Sequence, residues 1–104
     1  MKVRLHPEAL AEALEAKYYI REDDPREAEA FVVELQAAID RIRENPETPA
    51  CFSGEYRKMR AGKFRYAAVY RLREGEIQVM AVMHLHRKPG YWKERRFDRP
   101  EHEA

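Results

Sequence analysis

Apolar positions recur at two different spacings along the chain, and the change of spacing separates a helical half from a strand-forming half. Lys2 to Leu5 alternates polar and apolar residues, which predicts a short strand. Pro7 followed by an acid favours a helix start, and this helix is predicted to run to about Glu22. Its helical spacing predicts a stripe facing the core, made of Leu10, Ala13, Leu14 and Tyr18.

A second helix is predicted to begin at Pro25, because Asp24 can cap it and Glu27 stands where a capping box has its acid. Its core stripe is predicted to consist of Ala28, Phe31, Leu35, Ala38, Ile39 and Ile42. Asn45-Pro46 ends the pattern. The short connection before Pro25 predicts that the two helices form an antiparallel hairpin.

After a loop over residues 46–55, the apolar spacing becomes that of strands. Strands are predicted at about 56–61, 64–72 and 76–84. The order βααβββ predicts an α+β fold in which the helical hairpin packs on a small, mostly antiparallel four-stranded sheet. We expect a single domain over residues 1–104, with residues 97–104 as a flexible tail.

The composition narrows the class of protein. At 104 residues the chain is the size of one domain. Its single cysteine, Cys51, excludes a disulfide framework and favours a reducing compartment. The apolar runs are shorter than the roughly 20 residues that span a bilayer, and the amino terminus does not resemble a signal peptide. We therefore expect a cytoplasmic protein with no membrane partner.

The charges are segregated, although the net charge is only +1. Residues 1–55 contain seven Lys or Arg and thirteen Asp or Glu, whereas residues 56–104 contain thirteen and six. Such asymmetry points to nucleic acid or to an oppositely charged partner. From Arg57 to Arg73 there are seven Lys or Arg and no acid. A phosphate-binding strand face would have this character, and so would edge strands that carry cations to block aggregation.

The segment from His84 to Arg96 has the most unusual composition, with two histidines, several Lys and Arg, Tyr91 and the only tryptophan, Trp92. Two interpretations are open. The cations and flat rings suit a polyanion, whose phosphates bind guanidinium groups and whose bases stack on aromatics. Alternatively, the segment is a flap in which Tyr91 and Trp92 cover the sheet and the charges face water.

The element order and three strand segments resemble the RelE/ParE superfamily of toxins from bacterial type II toxin–antitoxin modules. These segments are Tyr56 to Arg60, Phe64 to Tyr70 and Ile77 to His84. The ending, His84 to Arg95, is similar to the close of the ParE-like, plasmid-stabilisation branch. The resemblance covers roughly residues 2–96 and implies a cytosolic toxin neutralised by a small antitoxin that wraps it.

The resemblance leaves two targets open. ParE-like relatives act on DNA gyrase and trap cleaved DNA, whereas RelE-like relatives cleave messenger RNA in the ribosomal A site. The ending favours gyrase poisoning. Because Trp, Tyr and Arg dominate interface energetics, we predict a target-binding surface made of Arg57, Arg60, Tyr91, Trp92 and Arg95.

The alternative is a metal-independent messenger RNA interferase, in which a 2′-hydroxyl attacks the adjacent phosphate. Whether the chain is an enzyme stays open at this point. The resemblance to RelE then points to five catalytic candidates: Lys58, Arg65, Arg87, His84 and His86. The lysine would be the base, the two arginines would clamp the phosphate, and one of the histidines would be an acid near neutral pH.

No metal or other cofactor is expected. His84 and His86 could share a metal ion, but no third ligand stands at a suitable spacing. An antitoxin could occlude the basic site with a disordered tail that forms a helix or an added strand. We expect its seat in an apolar groove beside the helical hairpin, although the sequence does not separate surface from core apolar residues there.

Overall fold

The predicted α+β fold and element order are confirmed by a computed structural model, which describes residues 1–97. The elements are β1 (Lys2–Leu5), α1 (Pro7–Asp23), α2 (Pro25–Glu44), β2 (Arg57–Arg60), β3 (Tyr66–Arg73) and β4 (Glu76–His84). Most of the predicted tail, residues 98–104, lies outside the described residues. No helix within residues 1–97 is both long and apolar enough to cross a membrane.

The four strands form one mixed sheet in the order β1-β4-β3-β2. β1 runs parallel to β4, and the other two pairs are antiparallel. A register shift between Val69 and Tyr70 interrupts the regular alternation of the β3–β4 pair. As a result, the consecutive residues Met80 and Ala81 belong to the same apolar cluster.

Side-chain caps set the helix starts. The Nδ1 atom of His6 accepts a hydrogen bond from the Glu8 amide at 3.0 Å. Asp24 caps α2 as predicted, since its Oδ1 accepts from the amide of Arg26 at 2.9 Å. The predicted capping box does not form, because Glu27 instead contacts the Lys63 ammonium at 3.2 Å. This contact joins α2 to the turn between β2 and β3.

The helical hairpin packs on one face of the sheet, but only α2 does so with the predicted residues. All six residues of its predicted stripe are buried, which confirms that prediction. The prediction for α1 is wrong for three of its four residues, because Leu10, Leu14 and Tyr18 are 51%, 46% and 58% exposed, whereas Ala13 packs against the core. The buried residues of α1 are Ala9 and Ala16. Because these side chains are small, this face of the helix packs closely on the sheet.

The opposite face of the sheet is covered as well. Trp92 is fully buried there, in a cluster with side chains of the loop before β2 and of the two central strands: Tyr56, Val69, Met80, Ala81 and Met83. Its ring centroid lies 5.7 Å from that of Phe52. Of the two interpretations of the segment after His84, the flap that covers the sheet matches this arrangement. In the described part of the chain, helices cover one face of the sheet and the C-terminal segment covers the other, so neither is an open, all-positive face.

Candidate functional site

The end of β4 brings three of the predicted catalytic residues together. The Nη1 atom of Arg65 lies 3.1 Å from Nε2 of His86. The backbone amide of His86 donates to Nδ1 of His84 at 3.0 Å. Tyr66 pairs with His84 across β3 and β4, and their ring centroids are 5.0 Å apart. We call Arg65, His84, His86, Arg87 and Lys88 the strand-end cluster.

The protonation of His84 follows from its contacts. Because Nδ1 accepts the amide hydrogen of His86, the neutral ring carries its proton on Nε2. Burial first, and then the charges of His86 and Arg65, lower the pKa of His84. At pH 7 this imidazole is therefore neutral and offers an N–H donor, while its basic nitrogen is occupied. This arrangement suits hydrogen bonding to an oxyanion better than the predicted acid role.

His84 should make folding stability sensitive to mild acid. Its folded pKa lies below the unfolded value of 6.5, so its contribution is complete above pH 6.5 and is lost as the pH falls through the folded pKa. We expect the variant His84→Gln, which keeps an acceptor for the His86 amide, to lose less stability than the wild type between pH 7.5 and about 5. Urea unfolding at both pH values measures this difference, and identical losses in the two proteins would contradict it.

Arg87, the next member of the strand-end cluster, contacts Tyr91 and Glu12. Its guanidinium stacks 3.5 Å from the centroid of the Tyr91 ring, and its Nη1 is 3.7 Å from Oε2 of Glu12. Arg87 and His84 line the same cavity of about 280 Å³. The carboxylates of Glu12 and Glu15 line it too, so the cavity itself is a poor phosphate site.

Lys58, the predicted base, does not join the strand-end cluster. It is exposed on the edge strand β2, with Nζ 4.6 Å from the centroid of the Phe52 ring. Lys58 pairs with Val69, whereas His84 pairs with Tyr66. This register separates them by about 10 Å along the strands and about 10 Å across them.

Two residues of the predicted target-binding surface support local structure. Arg57 donates to the carbonyl oxygens of Glu47 and Pro49 at 2.8 and 2.6 Å, and so holds the loop before β2. Arg60 donates to the carbonyl oxygen of Phe64 at 2.7 Å across the turn between β2 and β3. Both guanidinium groups therefore have internal partners.

Arg95, Tyr91 and Trp92, the remainder of that surface, anchor the C-terminal segment. Arg95 donates to both carboxylate oxygens of Glu12, at 2.7 and 3.1 Å, and to the carbonyl of Met80 at 3.0 Å. Burial lowers the pKa of Arg95, but the hydrogen bond and charge of Glu12 outweigh it and raise the pKa overall. The indole of Trp92 is fully buried, so its predicted contact with a target does not fit its position.

An apolar groove lies between the helices, and two of the residues that line it, Leu10 and Leu14, were predicted to face the core. It has a volume of about 250 Å³, and its lining includes Leu5, Leu10, Leu14, Val32 and Leu35. A second stripe of small residues, Ala9 and Ala16, runs along α1 at equally helical spacing. Helical spacing alone does not show which of the two stripes faces the sheet.

Metal-ligating residues do not cluster in the part of the chain that is described. Within residues 1–97, no three His, Cys, Asp or Glu side chains are placed to hold a metal ion. Cys51 is exposed and has no disulfide partner.

The βααβββ order and the mostly antiparallel sheet agree with the resemblance to the RelE/ParE superfamily. Residues 3–89 match the family model described as ParE toxin of type II toxin-antitoxin system, parDE. The chain belongs to this family. None of the curated proteins matches it.

Proposed function

We propose that the chain is a cytosolic toxin that poisons DNA gyrase and is neutralised by a cognate antitoxin. The observation that carries this proposal is the match of residues 3–89 to the ParE toxin family. Poisoning of gyrase needs a binding surface and no catalytic group. The distance of Lys58, the candidate base, from the histidines favours binding over catalysis.

The strand-end cluster is the proposed contact surface for gyrase or its bound DNA. Arg65, His86, Arg87 and Lys88 are all exposed, in contrast to Trp92. Exposed guanidinium and ammonium groups bind phosphates and carboxylates and raise association rates. We therefore propose that the exposed cations of the strand-end cluster, and not the aromatic residues beside them, contact the target.

Messenger RNA cleavage is the second candidate, supported by the 3.1 Å approach of Arg65 to His86 next to His84. In that reaction a 2′-oxygen attacks phosphorus, its proton passes to a base, and the departing 5′-oxygen receives a proton. The occupied Nδ1 of His84 and the remote Lys58 provide poor groups for these proton transfers. This candidate therefore ranks second.

Pulse labelling in cells that express the chain without antitoxin separates the two candidates. We expect thymidine incorporation to fall first, while methionine incorporation continues. A purified-gyrase assay should then show cleaved DNA accumulating in the presence of the chain. Early loss of methionine incorporation with intact DNA synthesis would instead establish the ribosome as the target.

Substitutions in the strand-end cluster test the contact surface. The double variant Arg65→Ala, Lys88→Ala should fold normally and lose toxicity, because both side chains are exposed. The double variant Arg21→Gln, Arg41→Gln removes the same charge from the helices and should stay toxic. If the Arg65 and Lys88 variant is as toxic as the helix control, the contact surface lies elsewhere.

The antitoxin is proposed to place an amphipathic helix in the groove between α1 and α2. Leu10, Leu14 and Val32 expose 51%, 46% and 44% of their surface there, although helix layers usually bury such residues.

We expect Leu14→Arg to weaken antitoxin binding by about tenfold or more, the range of an interface hot spot, with little change in stability. The probe is the product of the gene adjoining the toxin gene, titrated calorimetrically. Val33→Ser, at a 66% exposed position outside the groove lining, is the control. Unchanged affinity in Leu14→Arg would exclude the groove as the seat.

A further inference from the structure

A second cavity lies at the other end of β4, away from the strand-end cluster. It occupies about 710 Å³, within the range of small-molecule sites. The end of the β3–β4 hairpin forms one wall, and residues 93–97 form the other. Among residues 1–97, five cationic side chains line it: Arg71, Arg73, Lys93, Arg95 and Arg96. The described lining also contains two acidic residues, Glu74 and Glu94, so its side chains carry an excess of three positive charges.

Arg71 is the unusual member, because it is a buried cation with neutral partners. The residue is only 7% exposed. Its Nε donates to Oε1 of Gln78 at 2.8 Å, and its Nη1 lies 3.5 Å from the hydroxyl of Tyr56. Among residues 1–97, no carboxylate lies within 4 Å of its guanidinium. A buried charge of this kind is costly unless an ion of opposite sign compensates it.

The other four cations divide into two kinds. Arg73 contacts Glu55 at 2.6 Å and Arg95 contacts Glu12 at 2.7 Å, so their charges are compensated. Lys93 and Arg96 are exposed and have no carboxylate within 4 Å in the described part of the chain. The cavity therefore has one buried and two peripheral cations that lack an anionic partner among the described residues.

We infer that this cavity binds a phosphate oxyanion, with Arg71 as its buried anchor and Lys93 and Arg96 at its rim. A guanidinium fork matches two oxygens of a phosphate, and a flexible ammonium supplies a further donor. The volume exceeds that of one phosphate and suits a nucleotide or another phosphorylated small molecule. A phosphate of a nucleic-acid backbone has the same chemistry. The inference goes beyond the proposed function, which requires no such site.

Calorimetric titration of the full chain with pyrophosphate, ATP and a single-stranded DNA oligonucleotide tests the site. We expect saturable binding of one phosphate ligand per chain. Lys93→Gln together with Arg96→Gln should weaken it by about tenfold or more, the effect expected when charge-assisted hydrogen bonds are lost. Arg71→Gln should weaken it further. The helix double variant Arg21→Gln, Arg41→Gln makes the same charge change at exposed positions and should bind like the wild type.

The outcomes separate the ligand sources from failure of the inference. ATP or pyrophosphate binding that DNA does not displace indicates a phosphorylated small molecule, whereas displacement by DNA indicates its backbone. Arg71 is buried, so its variant also affects folding, but the exposed Lys93 and Arg96 pair keeps the test independent of that effect. Absence of saturation at millimolar concentrations, or equal weakening by the helix control, would overturn the inference. Neither result depends on whether gyrase is the target.

Discussion

Replacing Trp92 with alanine should destabilise the protein by about 3–5 kcal/mol. The indole of Trp92 is fully buried where the C-terminal segment packs on the sheet, and its removal leaves a cavity among Tyr56, Val69 and Met80. Small domains are stable by only about 5–15 kcal/mol, so a substantial fraction of the chain would unfold under mild denaturing conditions. Urea unfolding of the purified variant, followed by far-ultraviolet circular dichroism, measures the loss.

Two control variants separate packing from target contact. Trp92→Phe keeps an aromatic ring and should be less destabilising than Trp92→Ala. Tyr19→Ala removes a 67% exposed ring and should change the free energy of unfolding by less than about 0.5 kcal/mol. If Trp92→Ala abolishes toxicity but leaves stability unchanged, the indole contacts the target and its packing role is refuted. Loss of toxicity together with unfolding carries no information about the target.

Breaking the contact between Glu12 and Arg95 should cost about 3 kcal/mol. The two side chains are only 12% and 15% exposed, and their shorter N–O distance is 2.7 Å. Glu12 also accepts a hydrogen bond from the backbone amide of Val82 at 3.2 Å, so it links α1 to β4 and to the C-terminal segment. In Glu12→Gln the guanidinium loses its charged partner while the shape of the side chain is kept. Chemical denaturation of the variant measures the loss.

The double variant Glu12→Gln, Arg95→Met should be less destabilised than the sum of its single variants, because the uncompensated buried charge of Arg95 is removed. The exposed pair Lys63 and Glu27 has side-chain exposures of 71% and 41%, and Lys63→Gln should cost less than about 1 kcal/mol. If Glu12→Gln also costs less than about 1 kcal/mol, the buried contact does not hold the C-terminal segment in place.

Local patterns determined most of the fold. Asp24 and Pro25 mark the start of α2 by capping and by a preset backbone angle, and both effects act within one helical turn. All six residues of the predicted α2 stripe are buried, so helical spacing was sufficient to find the buried face of this helix. The central strands follow from short apolar runs, which are buried on both faces of the sheet, and from the turns between them, and these are also local properties.

The orientation of α1 was decided by the tertiary structure. This helix carries two stripes, one with Leu10 and Leu14 and one with Ala9 and Ala16, and helical spacing fits both. The sheet contacts the small residues, which places Glu12 within reach of Arg95. The larger residues, Leu10 and Leu14, remain at the surface and line the groove between the helices. No local signal ranks the two stripes, because the choice depends on a contact between residues 83 positions apart.

The candidate sites divide in the same way. The sequence by itself located the residue types of the strand-end cluster, because His84 and His86 end a predictable strand and the cations follow directly. Strand register then brought Arg65 to the histidines and kept Lys58 away from them. Burial made Trp92 a core residue and placed the Arg71 guanidinium against the neutral side chains of Gln78 and Tyr56. Register and burial arise from contacts between distant parts of the chain, and so only the tertiary structure could decide them.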